Sequence, residues 1–552
     1  MRFGVIHERF SAPEFPSWEN SSVQLPSDGR NCIQIDPKPL RNPPGGRARL
    51  HDPADWDTKT SEDCLFLDLY VPKRVIEEQG DLPAPVVVWI YGGAFAYGAK
   101  NQVGPLYTGQ SILRTSNYTT IFVTGNYRVG AYGWLAGDYM QKVGQPNAGL
   151  YDQALLFEWV QKYIGQVNGD NKQVSAFGES AGASSILHHL IREGGTRDPT
   201  FRKFAVQSPA FEWAWDNSPH GRLDEVYKNF SCLAGCGHSF DIDCLRASKN
   251  LSEANQALFD NVTQTGLFPV GPAVDGDWVQ TIPTVSFSEG AYIFLCLPTR
   301  GRKLTSRIGH FWKEVDSTII SHCLNETASF IPKCVTSNDT FNEFLAIFLP
   351  GKNLEHVRQE ITQQYDCEKD FGGDYRACIA EVIRDASFTC NTRDLFNAYP
   401  DKSHMMRYGF PISKKAYHAS DLLALFSNTH AEVVQLLNST LYADELINTN
   451  VSTAFQTYFA SFALSGDPNS LPLPPVTYGH APEWPVADGT GDNLTNVLQV
   501  KAWIPFLHPK PFTLDTPDDQ NSNTTCNFWT NIAKEILSSQ NLGERVFINN
   551  EL

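Results

Sequence analysis

Residues 174–185 read Val-Ser-Ala-Phe-Gly-Glu-Ser-Ala-Gly-Ala-Ser-Ser and contain Gly178-Glu179-Ser180-Ala181-Gly182. A serine flanked by glycines at this spacing can act as a nucleophile when a short strand enters a tight turn and a helix follows. The turn strains the serine backbone and lifts its hydroxyl clear of the sheet. Gly178 and Gly182 are needed because a Cβ at either place would collide with the neighbouring strand or helix. The pattern alone is expected about 0.2 times by chance in a chain of this composition, so its partners decide its meaning. Acyl transfer needs N–H donors aimed at the developing oxyanion, and a base oriented by a carboxylate.

Candidate donors lie upstream. Gly92-Gly93-Ala94-Phe95 follows the apolar run 85–91, and consecutive small residues let backbone approach a substrate closely. The N–H groups of Gly93 and Ala94, with that of Ala181 just past the serine, would make a three-donor hole. Trp213 and Trp215 follow Val206-Gln207-Ser208-Pro209 and are candidate walls of a substrate pocket, with Phe95, Tyr97 and Phe177. Plain core packing is the alternative for the tryptophans.

The elements that must hold these residues are readable from apolar patterning. Runs at 65–71, 85–91 and 119–124 are short and rich in β-branched residues, hence buried strands. Residues 152–164 have helical periodicity, with Asp152 as cap. Strands alternating with helices predict an α/β fold, a mostly parallel sheet covered on both faces. Residues 1–60 read as loop, and 340–465 as a largely helical insertion over the sheet. No linker or repeat divides the chain, so residues 1–552 are expected to be one catalytic domain.

With 41% hydrophobic and 12% aromatic residues, the chain has an ample core. Its net charge of −17 argues against nucleic acid or an anionic membrane as partner. Solubility explains that charge, and steering of cationic substrates is the sharper alternative. There are 12 cysteines and eleven N-x-S/T sequons: Asn20, Asn117, Asn229, Asn250, Asn261, Asn325, Asn338, Asn438, Asn450, Asn493 and Asn523. That density predicts a secreted glycoprotein with disulfides. The segment Cys232-x3-Cys236-x7-Cys244 reads as a local disulfide region, and no cysteines fall at zinc-ligand spacing with histidines. No run of 18 apolar residues exists, so no membrane span is expected. Met1-Arg-Phe-Gly-Val-Ile-His-Glu has no apolar signal core, which conflicts with secretion and leaves as expectations either an intracellular protein or a sequence that lacks its true start. Phe547-Ile-Asn-Asn-Glu-Leu552 is not expected to be a lipid-anchor tail.

Several ordered motifs together carry a resemblance across nearly the whole chain. They are Ser61-Glu62-Asp63-Cys64-Leu65-Phe66-Leu67, Trp89-Ile90-Tyr91-Gly92-Gly93-Ala94-Phe95, Asn126-Tyr127-Arg128-Val129-Gly130 and Phe177-Gly178-Glu179-Ser180-Ala181-Gly182. In these the chain resembles the type-B carboxylesterase family, which includes cholinesterases, fungal lipases and the inactive neuroligins. Its flavour is fungal. The resemblance implies an α/β-hydrolase fold and hydrolysis of small-molecule or lipid carboxylic esters by a Ser-His-Glu triad, with no metal or organic cofactor. His322-Cys323-Leu324-Asn325-Glu326-Thr327 stands where the family carries Asp-Glu-Gly, which makes Glu326 the implied acid. Asn325 and Thr327 depart from the pattern. Tyr417-His418-Ala419-Ser420-Asp421 resembles the family's histidine loop, with Ala419 in place of the usual Gly, and makes His418 the base. His310 and His322 lie too close to the acid loop to serve. By resemblance, Cys32–Cys64 closes a loop over the site mouth that is a lid in lipases and bears a cation-binding Trp in cholinesterases. Trp56 lies on it here. Cys236–Cys244 fits the family's short disulfide. Catalytically silent binding relatives usually lack a triad member, whereas Ser180, Glu326 and His418 are all available. A lipase or an acyltransferase is the variant reading on the same fold.

Three further expectations follow. Asn325 sits beside a buried triad member and should be unglycosylated despite its sequon. The family has a leader and two strands before a segment like Glu8-Arg9-Phe10, so the start is expected to be truncated. Residues 291–308 fit nothing in the family and are expected to be a retained intron or, if real, a surface insertion.

Overall fold

The computed structural model describes residues 1–17, 30–36, 60–77, 82–101, 108–289, 310–410, 416–427, 449–476, 479–501 and 510–548. Trp56 and the stretch 291–308 lie outside them. A nine-stranded sheet forms the centre. In chain order its strands are β1 (Leu67–Tyr70), β2 (Ala84–Ile90), β3 (Ile121–Gly125), β4 (Gly169–Glu179), β5 (Lys203–Gln207), β6 (Ser317–Cys323), β7 (Ser403–Tyr408), β8 (Leu498–Val500) and β9 (Phe512–Thr513). In space they run β9-β8-β7-β6-β5-β4-β2-β3-β1. Only the outer pairs, β1 with β3 and β9 with β8, are antiparallel. The expected α/β-hydrolase architecture is present. Helices used below are α1 (Ala148–Tyr163), α2 (Ala181–Leu190), α3 (Cys390–Ala398), α4 (Asp421–Phe426), α5 (Thr449–Ser465) and α6 (Asn523–Ile548).

β2 reads Ala-Pro-Val-Val-Val-Trp-Ile, and every residue but Pro85 is buried. β3, Ile-Phe-Val-Thr-Gly, is buried throughout. Continuous apolar runs without alternation are what a sheet covered on both faces requires. The loops that leave the carboxyl ends of β2, β4, β5 and β6 lead to Gly92, Ser180, Ser208 and Glu326. The site therefore assembles at the end of the sheet where open α/β folds bind ligands.

Two expectations need correction. The helix α1 starts four residues before Asp152, so Asp152 is no cap. It is fully buried and accepts from the Arg128 backbone N–H (2.9 Å), Nε (2.8 Å) and Nη2 (2.7 Å). A buried carboxylate held by a two-pronged guanidinium is stable inside a helix. Second, region 340–465 is not simply a helical insertion, because it contributes the central strand β7. Its sequence, Ser-His-Met-Met-Arg-Tyr, lacks the β-branched residues that mark strands.

Among the described residues four disulfides are formed: Cys32–Cys64, Cys236–Cys244, Cys367–Cys378 and Cys390–Cys526. The last ties α3 to α6. Cys232 and Cys323 are free thiols. No described helix is long and apolar enough to cross a membrane.

His322, on β6, is structural. Its Nδ1 lies 3.1 Å from the Cys323 carbonyl and its Nε2 2.7 Å from Asp518 Oδ2. Both neighbours are acceptors, so both ring nitrogens must donate and the ring is an imidazolium. Burial alone would lower its pKa, but Asp518 raises it, while Asp518 itself is held down to about 2. Stability from His322 is complete below about 6.5 and is lost as pH rises through its raised value. Stability from Asp518 is complete above about 4 and is lost as pH falls through about 2. Asp518→Asn should therefore cost roughly 3–5 kcal/mol in that window, because it leaves a buried cation unpaired. Urea unfolding at pH 5 to 6 measures it, and an unchanged midpoint would refute the ion-pair assignment.

Candidate active site

Ser180 is the residue between β4 and α2, at φ 56 and ψ −125. Such a backbone costs of order 1–3 kcal/mol and persists only when its surroundings over-determine it. Here they do. The Ser180 N–H donates to the Gln207 carbonyl (2.9 Å), and its own carbonyl accepts from Ser184 (2.9 Å) and Ala210 (3.3 Å). The flanking glycines are steric requirements. A Cβ on Gly182 would fall 2.0 Å from the Ile90 carbonyl oxygen, and one on Gly178 2.7 Å from the Gly182 backbone. The elbow is clamped between β2 and the start of α2.

Three side chains form one hydrogen-bonded line. His418 Nε2 lies 2.7 Å from Ser180 Oγ, and His418 Nδ1 lies 2.6 Å from Glu326 Oε2. The other carboxyl oxygen, Oε1, accepts from the Cys323 backbone N–H at 2.6 Å. Glu326 is 1% exposed. The acid and histidine loops are joined backbone to backbone, since the Asn325 N–H donates to the Ala416 carbonyl (3.0 Å) and Leu324 to Tyr408 (2.9 Å). Glu326 opens a short 3₁₀ turn to Ser329, in which Thr327 does not adopt positive φ, so no glycine is needed there. Ala419, by contrast, has φ 67, where glycine would be unstrained. Asn325 is half-buried and its backbone is bound into this junction. Glycopeptide mapping should find it unmodified, and an occupied Asn325 would count against placing the acid here.

Two further carboxyls surround the imidazole. Glu179 is buried, with Oε1 3.3 Å from His418 Nε2 and no hydrogen-bond partner for that oxygen. Burial pushes its pKa up to about 8. Asp421, also buried, is raised to about 6 by burial, although Gln207 Nε2 donates to it at 2.6 Å. Desolvation alone would lower His418; Glu179 and Glu326 more than offset it and raise it. Glu179→Gln removes one of those carboxyls and should lower the acid limb of a kcat/KM profile by about one unit. A limb that stays in place would show that Glu179 carries no charge against His418. The imidazole edge is also gripped by Phe330 (centroids 5.4 Å) and Phe388 (5.2 Å), both near perpendicular.

Ala94, Phe95, Ser180, Trp213 and Trp215 line one cavity of about 1200 Å³, part of it continuous with solvent. Phe211, Phe268, Phe330 and Phe388 complete an aromatic wall. Gly93 precedes Ala94 at φ 121, and Ala181 is the first residue of α2, so its N–H has no intrahelical acceptor. Tyr97 is not on the cavity wall. Phe177 is elsewhere altogether. It packs on Phe459 and Phe462 of α5, with centroids 6.0 and 6.1 Å away. Sequence reasoning missed Phe388 because it lies in a π-helical turn, Asp385–Thr389, which no simple periodicity marks. It also passed over Glu179, hidden as the variable residue of the elbow, and Glu212.

Comparison with known proteins agrees with this arrangement. The profile described as "Carboxylesterase family" matches residues 4–529. The secreted lipase of Arthroderma benhamiae is 33% identical over 491 residues, covering 86% of this chain and 83% of that protein. Carboxylesterase patB of Penicillium expansum is 29% identical over 444 residues, covering 78% and 72%. The crystal structure of EstA from Aspergillus niger superposes with a TM-score of 0.71 at 23% identity, covering 97% of this chain and 94% of that one. The motifs, the sheet and the match over nearly the whole length together place this chain in the carboxylesterase family, as a carboxylic-ester hydrolase.

Proposed function

We propose that Ser180, His418 and Glu326 are the nucleophile, base and acid of a serine esterase that works through an acyl-enzyme. The observation that carries this reading is the unbroken line from Glu326 through His418 to Ser180, with contacts of 2.6 and 2.7 Å. Glu326 accepts from His418 Nδ1–H and so fixes the tautomer whose Nε2 is free to take a proton. His418 removes the Ser180 proton as Oγ attacks the ester carbonyl carbon. The oxyanion is held by the N–H groups of Gly93, Ala94 and Ala181, and the imidazolium is stabilised by Glu326. Collapse expels the alcohol, which takes the proton from His418. A water then loses its proton to His418, attacks the acyl carbon and frees the acid and Ser180.

The cavity's aromatic wall supports an acyl or alcohol group of moderate size as occupant. A broad esterase is favoured over a triacylglycerol lipase, and residues 1–552 are read as one catalytic unit. Secretion is proposed from the four disulfides, the sequons and a relative named as a secreted lipase. The test is turnover of p-nitrophenyl acetate by the full chain, with Ser180→Ala as control. Turnover lost in the variant is the expected result. A folded wild-type protein without turnover would overturn the reading in favour of a silent binding relative.

A further inference from the structure

Glu212 is a carboxyl on the wall of the aromatic cavity that the proposed chemistry does not use. It follows Phe211 and precedes Trp213, and all three line the cavity with Ser180. The segment is anchored close to the nucleophile, because the Ala210 N–H donates to the Ser180 carbonyl at 3.3 Å. Glu212 is two residues further on, within about 7 Å along the chain.

One oxygen of Glu212 is committed: Oε1 accepts from the Phe268 backbone N–H at 3.0 Å. The other, Oε2, has no protein hydrogen-bond partner among the described residues. Glu212 is partly exposed and lines the cavity. Arg222, on the same wall, donates through its backbone N–H to Asp216 and makes no ion pair with Glu212 among the described residues, but its charge draws the Glu212 carboxyl down against the effect of burial. A carboxyl oxygen facing an aromatic cavity is satisfied by water in the free enzyme. It is left bare when an alkyl group displaces that water, and an unmet buried polar group is a penalty of about 1–3 kcal/mol.

We infer that Glu212 is a specificity-determining residue that selects esters carrying a hydroxyl on the part that enters this cavity. The choice of hydroxyl over other polar groups follows from the carboxyl's two states. Since Oε1 accepts from Phe268, a proton on the acid must sit on Oε2, which then donates. Without the proton, Oε2 accepts. Burial pushes the group up to about 8, so both states occur near neutral pH. A hydroxyl can donate or accept and so matches either state, whereas a carbonyl or an ammonium matches only one. The penalty above corresponds to a preference of roughly 10- to 100-fold over the unsubstituted ester.

The inference rests on the esterase reading, and its experiment separates the two. The kcat/KM of the wild type, Glu212→Gln and Glu212→Leu is measured on p-nitrophenyl acetate. It is also measured on two matched pairs: p-nitrophenyl hexanoate with its 6-hydroxy analogue, and hexyl acetate with its 6-hydroxy analogue. The hydroxyl-to-alkyl ratio should be about tenfold or more in at least one pair for the wild type. It should stay high in Glu212→Gln, whose amide keeps the Phe268 bond and can still meet a hydroxyl. It should fall about tenfold or more in Glu212→Leu, with a smaller loss on p-nitrophenyl acetate, which carries no hydroxyl. Equal ratios in wild type and Glu212→Leu for both pairs would overturn the inference. So would a loss on p-nitrophenyl acetate as large as the loss on the hydroxy esters, which would make Glu212 merely structural. A wild type that hydrolyses none of the esters would refute the esterase reading instead.

Discussion

Ser180→Ala is expected to lower kcat for p-nitrophenyl acetate by roughly 10⁵- to 10⁶-fold, with binding little changed. The size follows from the role proposed for Oγ. Without it no acyl-enzyme forms, and what remains is the help that oxyanion donors and binding give to attack by water. The fold should survive. Alanine occupies φ 56 no less comfortably than serine, and the backbone bonds to Gln207, Ser184 and Ala210 do not use the side chain. Thermal unfolding of the variant within a few degrees of wild type, alongside the lost turnover, is the expected pair of results. Residual activity above a thousandth of wild type would assign the nucleophile elsewhere.

Glu326→Gln carries the second large effect, a fall in kcat of roughly 10⁴-fold. The glutamine carbonyl can still accept from the Cys323 N–H, the bond that holds Oε1 at 2.6 Å. Its NH₂ then faces His418 Nδ1, where Oε2 stood at 2.6 Å. A donor there requires Nδ1 to accept, so the ring proton moves to Nε2, the nitrogen beside Ser180. The base then presents a proton where it should receive one, and the imidazolium of the transition state has lost its counter-charge. Glu179 faces the same nitrogen at 3.3 Å but lies on the wrong side of the ring to restore the tautomer. Comparing kcat on p-nitrophenyl acetate for the variant and wild type checks this. A drop of tenfold or less would show that Glu326 is not the orienting acid.

What could be read from the residues depended on how local the cause was. β2 and β3 were legible because strands buried on both faces must be apolar throughout. The elbow was legible because its Gly-x-Ser-x-Gly spacing lies within five residues of chain, although what excludes a Cβ at Gly182 is Ile90 on a distant strand. β7 was not legible, since a strand of histidine, methionines and arginine gains its place only from the strands beside it. Asp152 was misread as a cap because an acid near a helix start usually is one. Its partner Arg128 lies on a loop that sequence does not bring near. Glu326 and His418 came from motif resemblance. Their loops meet through long-range backbone pairing of Asn325 with Ala416, which no local rule contains. Phe177 illustrates the reverse error. Being near Ser180 in sequence does not place a residue near it in space. Side chains alternate along a strand, and Phe177 faces α5 rather than the cavity.

The proposed mechanism requires the acyl group to pass through Ser180. The most direct measurement is rapid acid quenching of the full-length enzyme during turnover of p-nitrophenyl acetate, followed by peptide mass mapping. The prediction is one added acetyl group on the peptide that contains Ser180, absent from Ser180→Ala and accumulating further in Glu326→Gln if deacylation slows more than acylation. Turnover with no acetyl group on Ser180, or with the acetyl group on another residue, would contradict it.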